Sequence, residues 1–200
     1  MEDNDFSLIE RCRRGDATGF EELYQRYVKR IYNLAYRMVG LANDPEELTQ
    51  EIFLQAFKNL EHFKGESSFY TWLYRVAANT CLQFLRKKSR SKETVNYDDL
   101  ADVQIEGHPS PDPLEKIERR ELGRRIEAAL AELPENQRLV LILGPIEGRS
   151  YEDMAEILGV TVPIIKGRLH RARENIRRLC KVDAESGAPE AAGGHEREAE

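Results

Sequence analysis

The chain has only three cysteines among its 200 residues, Cys12, Cys81 and Cys180. They are far apart and odd in number, and no two of them stand at CxxC spacing, so the sequence gives no sign of a disulfide framework or a cysteine metal site. Reduced thiols are the default for such cysteines and fit a cytoplasmic protein. The histidines also lack metal-ligand spacing, so we expect neither a metal nor another cofactor.

Long apolar runs are missing as well. No stretch approaches the ~20 residues that a helix needs to cross a bilayer. The N-terminal sequence MEDNDFSLIERCRRG contains no apolar core of the kind found in signal peptides. We therefore expect no membrane insertion and a cytoplasmic location.

An overall excess of positive charge is the third absence. Lys and Arg number 30 against 36 Asp and Glu, which gives a formal net charge of −6 and argues against a uniformly basic nucleic-acid binder. The charges are segregated, however. Basic residues concentrate at 86–92 and 166–181, and acidic residues at 44–51 and 98–118. Two basic stripes in acidic surroundings can touch DNA in two places and repel it elsewhere.

Helical periodicity dominates the first 90 residues, and no segment there shows the alternation of a β-strand. The apolar spacing predicts helices over residues 7–14, 16–40 and 44–62. Asp16 and Asp44 are suited to N-cap positions because a carboxylate can accept from the free N–H groups of a first turn. We therefore expect an all-helical N-terminal unit.

One stretch in this unit, residues 63–92, combines aromatic, amide and basic side chains and holds the only tryptophan. It predicts a helix from about 68 to 90, capped by Ser67 or Ser68, with a core face that includes Phe69 and Leu73. A neighbouring face carries Trp72, Arg75, Asn79, Arg86 and Arg90. This face suits unstacked bases and phosphates. A core aromatic followed by a solvated basic helix end explains the same residues, and the pattern alone leaves both interpretations open.

The helix before it has an acidic outer face, formed by Glu46, Glu47, Gln50 and Glu51. Acidic residues in a first helical turn are usually partners of the helix dipole. A docking surface for another protein is the alternative, and the periodicity does not decide between them.

Periodicity is lost over residues 91–113, which are acidic and proline-rich, and this segment predicts a flexible linker. A second helical unit is predicted over 114–181, followed by a disordered tail at 182–200. The predicted fold class is therefore all-α, with two small helical domains joined by a flexible acidic linker. The first domain spans residues 1–90.

The second unit contains a helix-turn-helix pattern over residues 150–179. Ser150 and Asp153 form a capping box, Gly159 suits the left-handed end of a helix, and Thr161 can begin the next helix. That second helix carries seven basic residues: Lys166, Arg168, His170, Arg171, Arg173, Arg177 and Arg178. It is suited to the major groove, although a solvated helical hairpin shows the same pattern.

Five segments together carry a family resemblance: PEELTQEIFLQAF, FKGESSFYTWLYRVAANTCLQFLRKK, LAELPENQRLVLIL, GRSYEDMAEILGV and IKGRLHRAR. In order and spacing they resemble group 4, or extracytoplasmic-function, sigma factors of bacterial RNA polymerase, over about residues 5–180. The resemblance implies a non-enzymatic initiation factor that binds core polymerase at its β′ coiled coil and β flap. It also implies promoter DNA and an anti-sigma factor as partners.

The resemblance further implies residue roles. The residues matching the β′-docking region 2.2 are Glu47, Gln50, Glu51 and Phe53. The loop 63–68 and the following helix match regions 2.3 and 2.4, which open the −10 element and trap a flipped non-template base beside the position of Asn79. The implied −10 contacts are Phe63, Ser67, Trp72, Arg75, Asn79 and Arg86. The implied −35 contacts are Lys166, Arg168, His170, Arg171 and Arg173.

Some positions depart from the family pattern. Gln83 stands where the family often has Asp, and Gly144-Pro145 replaces a pair that is usually helical and charged, so we expect the helix to kink or end there. Pro163, Ile164 and Gly167 replace what is usually Gly, Thr and Ser, so the −35-reading helix loses two small polar contacts. The alternative function is a helix-turn-helix regulator that acts without core polymerase. It would bind duplex DNA as the isolated protein.

Overall fold

The computed structural model describes the backbone of residues 2–91, 123 and 125–186, with side chains described between Asp5 and Arg90 and between 125 and Leu179. All regular structure in these ranges is helical, which confirms the predicted all-α class. The α-helices are α1 (Glu2–Arg13), α2 (Ala17–Val39), α3 (Pro45–Asn59), α4 (Phe69–Ser91), α5 (residues 125–131), α6 (Glu135–Leu141), α7 (Tyr151–Leu158) and α8 (Val162–Ser186). The predicted linker from residue 92 to 113, residues 114–122 and the tail beyond 186 lie outside the described residues.

The helices begin where the capping residues of the sequence place them. The side chains of Asp16, Asp44 and Ser68 each accept a backbone N–H at 3.0 Å, so Ser68 rather than Ser67 caps α4. Ser150 forms the expected capping box at the start of α7, and Gly159 ends that helix in the left-handed conformation with φ 61°. The predicted caps at Asp16, Asp44, Ser68, Ser150 and Gly159 are therefore confirmed.

Two helix ends differ from the sequence-based expectation. Helix α1 begins at Glu2 instead of residue 7, and α8 continues to Ser186 instead of ending near Leu179. At both ends the sequence gives only a weak signal for the helix boundary, because the flanking residues are polar but compatible with a helix. The first residues of the predicted disordered tail, 182–186, are thus helical.

The Gly144-Pro145 departure is accommodated by a π-helical turn over Ile142–Ile146. Pro145 has no N–H to donate, and the wider turn carries the chain past it through longer-range bonds, such as Glu147 N to Ile142 O at 2.9 Å. A Cβ on Gly144 would lie 3.2 Å from the Met154 sulfur in α7, so the Met154 side chain would have to shift by a few tenths of an ångström. The helix ends at Ile146, directly after the pair.

The buried residues of the two units form one continuous hydrophobic cluster. In the first unit α2 supplies a long buried row that includes Leu23, Ile31 and Leu34. In the second unit α6 and the π-turn supply Leu139 and Ile142. Helix α4 of the first unit contacts α7 of the second, so the two units pack directly against each other.

The packing of α1 on α2 generates a stability prediction. A Cβ on Gly19 of α2 would lie 2.6 Å from the Leu8 carbonyl oxygen of α1, a backbone atom that cannot rotate away. Gly19→Ala should therefore separate the helices and cost about 1–3 kcal/mol in the free energy of unfolding, measured by urea denaturation.

The matched control is Gly167→Ala in α8, where the added Cβ would meet only the Arg171 guanidinium at 3.8 Å. There the loss of unfolded-state freedom should raise stability by roughly 0.5–1 kcal/mol. Similar effects of the two substitutions would contradict the described contact between α1 and α2.

Candidate polymerase and nucleic-acid interfaces

Helix α4 has one buried side and one exposed side. The buried side consists of Phe69, Leu73, Ala77 and Cys81. The exposed side is a row formed by Arg75, Asn79, Gln83, Arg86 and Arg90. Three of the −10 residues expected from the sequence therefore share one accessible face. This face offers an amide that can bond a base edge and cations that can bond phosphates.

The other three expected −10 residues lie at the start of α4 and are less accessible. Phe63 is only 5% exposed, and its ring packs 5.4 Å from Trp72 and 6.0 Å from Phe69, centroid to centroid. Phe63 was expected to contact the −10 element, but in this structure its ring is buried as a core residue of an aromatic cluster. Trp72 and Ser67 are half-buried, so part of each remains at the surface.

The outer face of α3 is a mixed acidic and apolar stripe. Glu47 and Gln50 are exposed and Glu51 is half-buried. The same stripe continues with two large apolar side chains, Leu54 at 47% and Phe57 at 50% exposure. We call these five residues the α3 stripe. Leu54 and Phe57 were missed from the sequence, although their spacing of four and seven residues from Gln50 indicates the same helix face.

Phe53 does not belong to the α3 stripe. It is 3% exposed and packs edge-on against Tyr24 at 4.7 Å and Phe20 at 6.3 Å. One residue along a helix turns the side chain by about 100°, so Phe53 points into the first unit beside Ile52 while Leu54 points out. The expectation that Phe53 faces polymerase is thus corrected.

In the helix-turn-helix, α7 and α8 close around buried Met154, Ile165 and Leu169. Four of the expected −35 residues are exposed on α8: Lys166, His170, Arg171 and Arg173. Arg168 is half-buried. His170 also approaches Glu174, Nδ1 to Oε2 3.3 Å, so one acidic group lies beside the basic surface.

The two units meet at an aromatic and ionic contact that the sequence did not reveal. The rings of Tyr70 and Tyr74 in α4 stack with their centroids 4.1 Å apart. The guanidinium of Arg149, from the second unit, lies 4.0 Å from the centre of the Tyr70 ring. The Tyr74 hydroxyl donates to Glu147 Oε2 at 3.1 Å. Burial raises the pKa of Tyr70 to about 12 and raises that of Tyr74 as well, so both hydroxyls stay protonated near neutral pH.

Further contacts extend this inter-unit interface. Arg75 Nη2 donates to the Glu156 carbonyl oxygen of α7 at 2.8 Å. The buried Arg138 of α6 donates to the Met38 carbonyl at the end of α2. Nearby, Tyr36 donates to the Glu127 carboxylate at 2.7 Å. One residue of the exposed α4 row, Arg75, is therefore also bonded to the helix-turn-helix.

Neither a metal centre nor a membrane-spanning element is found among the residues that the structure describes. No group of His, Cys, Asp and Glu side chains there could hold a metal ion. No helix in that part of the chain is long and apolar enough to cross a bilayer.

Comparisons with known proteins identify both helical units. A family model described as sigma-70 region 2 matches residues 23–91, and a model described as sigma-70, region 4 matches residues 123–176. The ECF RNA polymerase sigma-E factor of Haemophilus influenzae is 36% identical over 183 residues, which cover 86% of this chain and 93% of that protein. The RNA polymerase sigma-H factor of Pseudomonas aeruginosa is also 36% identical, over 88% of this chain and 93% of its own length.

Solved structures show the same relationship. The sigma factor RpoE of Bartonella quintana, in complex with the anti-sigma factor NepR, superposes with a TM-score of 0.63 at 26% identity, covering 82% of this chain and 98% of that one. CnrH, in complex with the cytosolic domain of CnrY, shares the fold with a TM-score of 0.64 at 23% identity, covering 90% of this chain and 99% of its own. The two family matches, the length of the similarity to curated sigma factors and the paired helical units lead to one conclusion: the chain belongs to the sigma-70 family, as an extracytoplasmic-function sigma factor, a class of non-enzymatic transcription initiation factors.

Proposed function

We propose that this sigma factor binds core RNA polymerase through the α3 stripe and promoter DNA through α4 and α8, and that α4 helps to melt the −10 region. The observation that carries the proposal is the placement of two unlike exposed faces in one rigid unit, acidic and apolar on α3 and polar and basic on α4. The protein acts in the cytoplasm, where polymerase works, and requires no cofactor of its own.

The α3 stripe has the composition of a protein interface. Glu46 and Glu47 lie in the first turn of α3 and also complement its dipole. The helix dipole, however, gives no reason for exposing Leu54 and Phe57. Large apolar groups beside polar ones are typical of interface centres with polar rims, where the charges speed and orient docking. We therefore assign the stripe to the β′ coiled coil, with Leu54 and Phe57 in the position expected for Phe53.

The α4 row supports promoter melting by a simple equilibrium argument. A site that binds unstacked bases better than duplex DNA shifts the DNA towards the open form. Asn79 can hydrogen-bond an extruded base, while Arg86 and Arg90 can neutralise the adjacent backbone. Trp72 contributes a partly accessible ring at the start of the same helix.

The basic face of α8 supports recognition of the −35 element. Its first turn presents Ile164, which is 44% exposed, in place of a small polar residue. An apolar side chain at that place can contact a thymine methyl group in the major groove. Lys166, His170, Arg171 and Arg173 follow on the accessible side, where they can bond bases and phosphates. The β flap of polymerase would hold this unit in place.

The DNA-binding surfaces of α4 and α8 cannot bind their two promoter elements at the same time in the described arrangement. The −35 and −10 elements are separated by roughly 25 base pairs, about 85 Å of B-DNA, whereas α4 and α7 are in direct contact. Promoter binding by both units therefore requires the inter-unit interface to open and Arg75 to leave the Glu156 carbonyl. Because the Bartonella relative is bound to an anti-sigma factor, we extend such a partner to this chain.

Reconstitution with bacterial core polymerase tests the function. The protein should form a complex with core enzyme and start transcription at a specific set of promoters, identified by mapping the 5′ ends of transcripts from genomic DNA in vitro. Specific duplex binding by the isolated protein, without a core complex, would support the helix-turn-helix regulator instead.

The α3 stripe gives a sharper prediction. Leu54→Ser and Phe57→Ser should each weaken binding to core polymerase by about 5- to 30-fold, as expected when a central apolar contact worth 1–2 kcal/mol is lost. The measurement is a titration of labelled sigma with core enzyme. Ile164→Ser, a similarly exposed apolar residue on α8, is the control and should leave core affinity unchanged. Equal losses in all three variants would contradict the assignment of the stripe.

A further inference from the structure

Helix α1 lies ahead of the segment that matches sigma-70 region 2, which begins at residue 23. It is nevertheless bonded to the loop 63–68 that leads into α4. Arg13 Nη2 donates to the carbonyl oxygen of Phe63, the first residue of the loop. Arg13 Nη1 also pairs with Glu10 Oε1 at 2.8 Å. The N-terminal helix is therefore bonded to the first residue of the loop.

Phe6 of α1 lies beside the tip of the same loop. Its ring carbon Cε2 is 3.7 Å from the place that a Cβ on Gly65 would occupy. Phe6 is 54% exposed, so its ring adds little to the core. The neighbouring Asp5 is buried and accepts from Tyr27 and Arg26. The backbone around Phe6 is thus anchored, and the ring is presented from a fixed position.

The loop is fixed at its ends and open at its tip. The Phe63 ring is buried in the aromatic cluster at one end, and Ser68 caps α4 at the other. Between them Lys64, Gly65 and Glu66 are exposed. Because Gly65 has no side chain, the loop leaves room beside the edge of the neighbouring phenyl ring. An accessible aromatic ring on an anchored stretch of backbone can serve as a stacking platform for a single-stranded base.

We propose that α1 is part of the −10 site: Phe6 offers a stacking face to an unstacked base at the tip of the loop 63–68, and Arg13 is a positioning residue that sets the loop. The inference rests on the proposed function of α4 as the −10-binding helix. It adds two residues from outside the matched segment, and it identifies the ligand of the exposed ring as a base of the single-stranded non-template strand.

The test for Phe6 uses holoenzyme and a fork template whose −10 non-template strand is single-stranded, taken from a promoter mapped by reconstitution. Phe6→Ala should weaken holoenzyme binding by about 5- to 30-fold, in the range measured for loss of one base–aromatic stack. Phe6→Trp should restore it, and Phe6→Leu, which keeps apolar contact without an aromatic face, should not. Ser7→Ala, on the adjacent exposed position, should be neutral. A Phe6→Leu variant as active as wild type overturns the stacking role.

A double-mutant cycle identifies the base. Abasic nucleotides are placed one at a time along the −10 non-template strand and tested with wild-type and Phe6→Ala holoenzymes. At one position the abasic site should weaken wild-type binding but leave Phe6→Ala binding unchanged, because both changes remove the same contact. Additive effects at every position would contradict direct stacking.

The positioning role of Arg13 has a separate readout. Transcription from templates with a randomised −10 element reports the base preference of the holoenzyme at each position, and Arg13→Ala should change this preference. Arg13→Lys should retain it, because lysine keeps a donor to the Phe63 carbonyl. The control Arg14→Ala should not alter it. Unchanged preference in Arg13→Ala overturns this part of the proposal.

Core binding and thermal unfolding of each variant separate these outcomes from a folding defect. Asn79→Ala serves as the control for the proposed function itself. If it binds the fork template as well as wild type, the assignment of α4 fails. If Asn79→Ala weakens binding but the Phe6 and Arg13 variants behave as wild type, the inference about α1 fails while the assignment of α4 stands.

Discussion

The burial of one side of α4 is the constraint on which the rest of the structure depends. Phe69, Leu73, Ala77 and Cys81 are packed into the core, and this fixes the rotation of the helix about its axis. The polar row from Arg75 to Arg90 must then face outwards. Because α3 packs against the same helix, its own outer stripe has a fixed relation to that row. The surfaces proposed to bind polymerase and DNA are thereby held on one small unit.

Helix α4 also forms part of the inter-unit interface. Tyr70, Tyr74 and Arg75 occupy the side of α4 that meets the second unit. Its contacts are a cation–π pair and hydrogen bonds to side-chain and backbone acceptors, which are individually modest in free energy. The two units also share one hydrophobic cluster, so separating them exposes apolar surface that contacts with polymerase and DNA have to offset. The proposed function requires the chain to be compact when free and extended on a promoter.

Local signals in the sequence were sufficient for much of this fold. Asp44, Ser68 and Ser150 predicted helix starts because a cap depends only on residues three or four positions away. The helical row of Arg75, Asn79 and Arg86 could be predicted for the same reason. The resemblance to sigma factors then gave these faces functions that periodicity alone had left open.

Features that depend on distant parts of the chain could not be predicted in this way. Phe53 is buried because Phe20 and Tyr24 of another helix enclose it. The partner of Tyr70, Arg149, lies nearly eighty residues further along the chain. The packing of Met154 against Gly144 in the π-turn also joins two different helical segments. In each case the contact is with a residue of another helix or a distant segment, which the residue type and its local spacing do not reveal.

The central claim is that α4 and the helix-turn-helix bind two separate promoter elements after leaving their mutual contact. Fluorescence energy transfer between dyes placed at the exposed positions Gln83 of α4 and Arg177 of α8 tests it most directly. Transfer should be efficient in the free protein and should fall to near zero in the holoenzyme–promoter complex, where the elements are about 85 Å apart. Efficient transfer that persists in a transcriptionally active promoter complex would contradict the account.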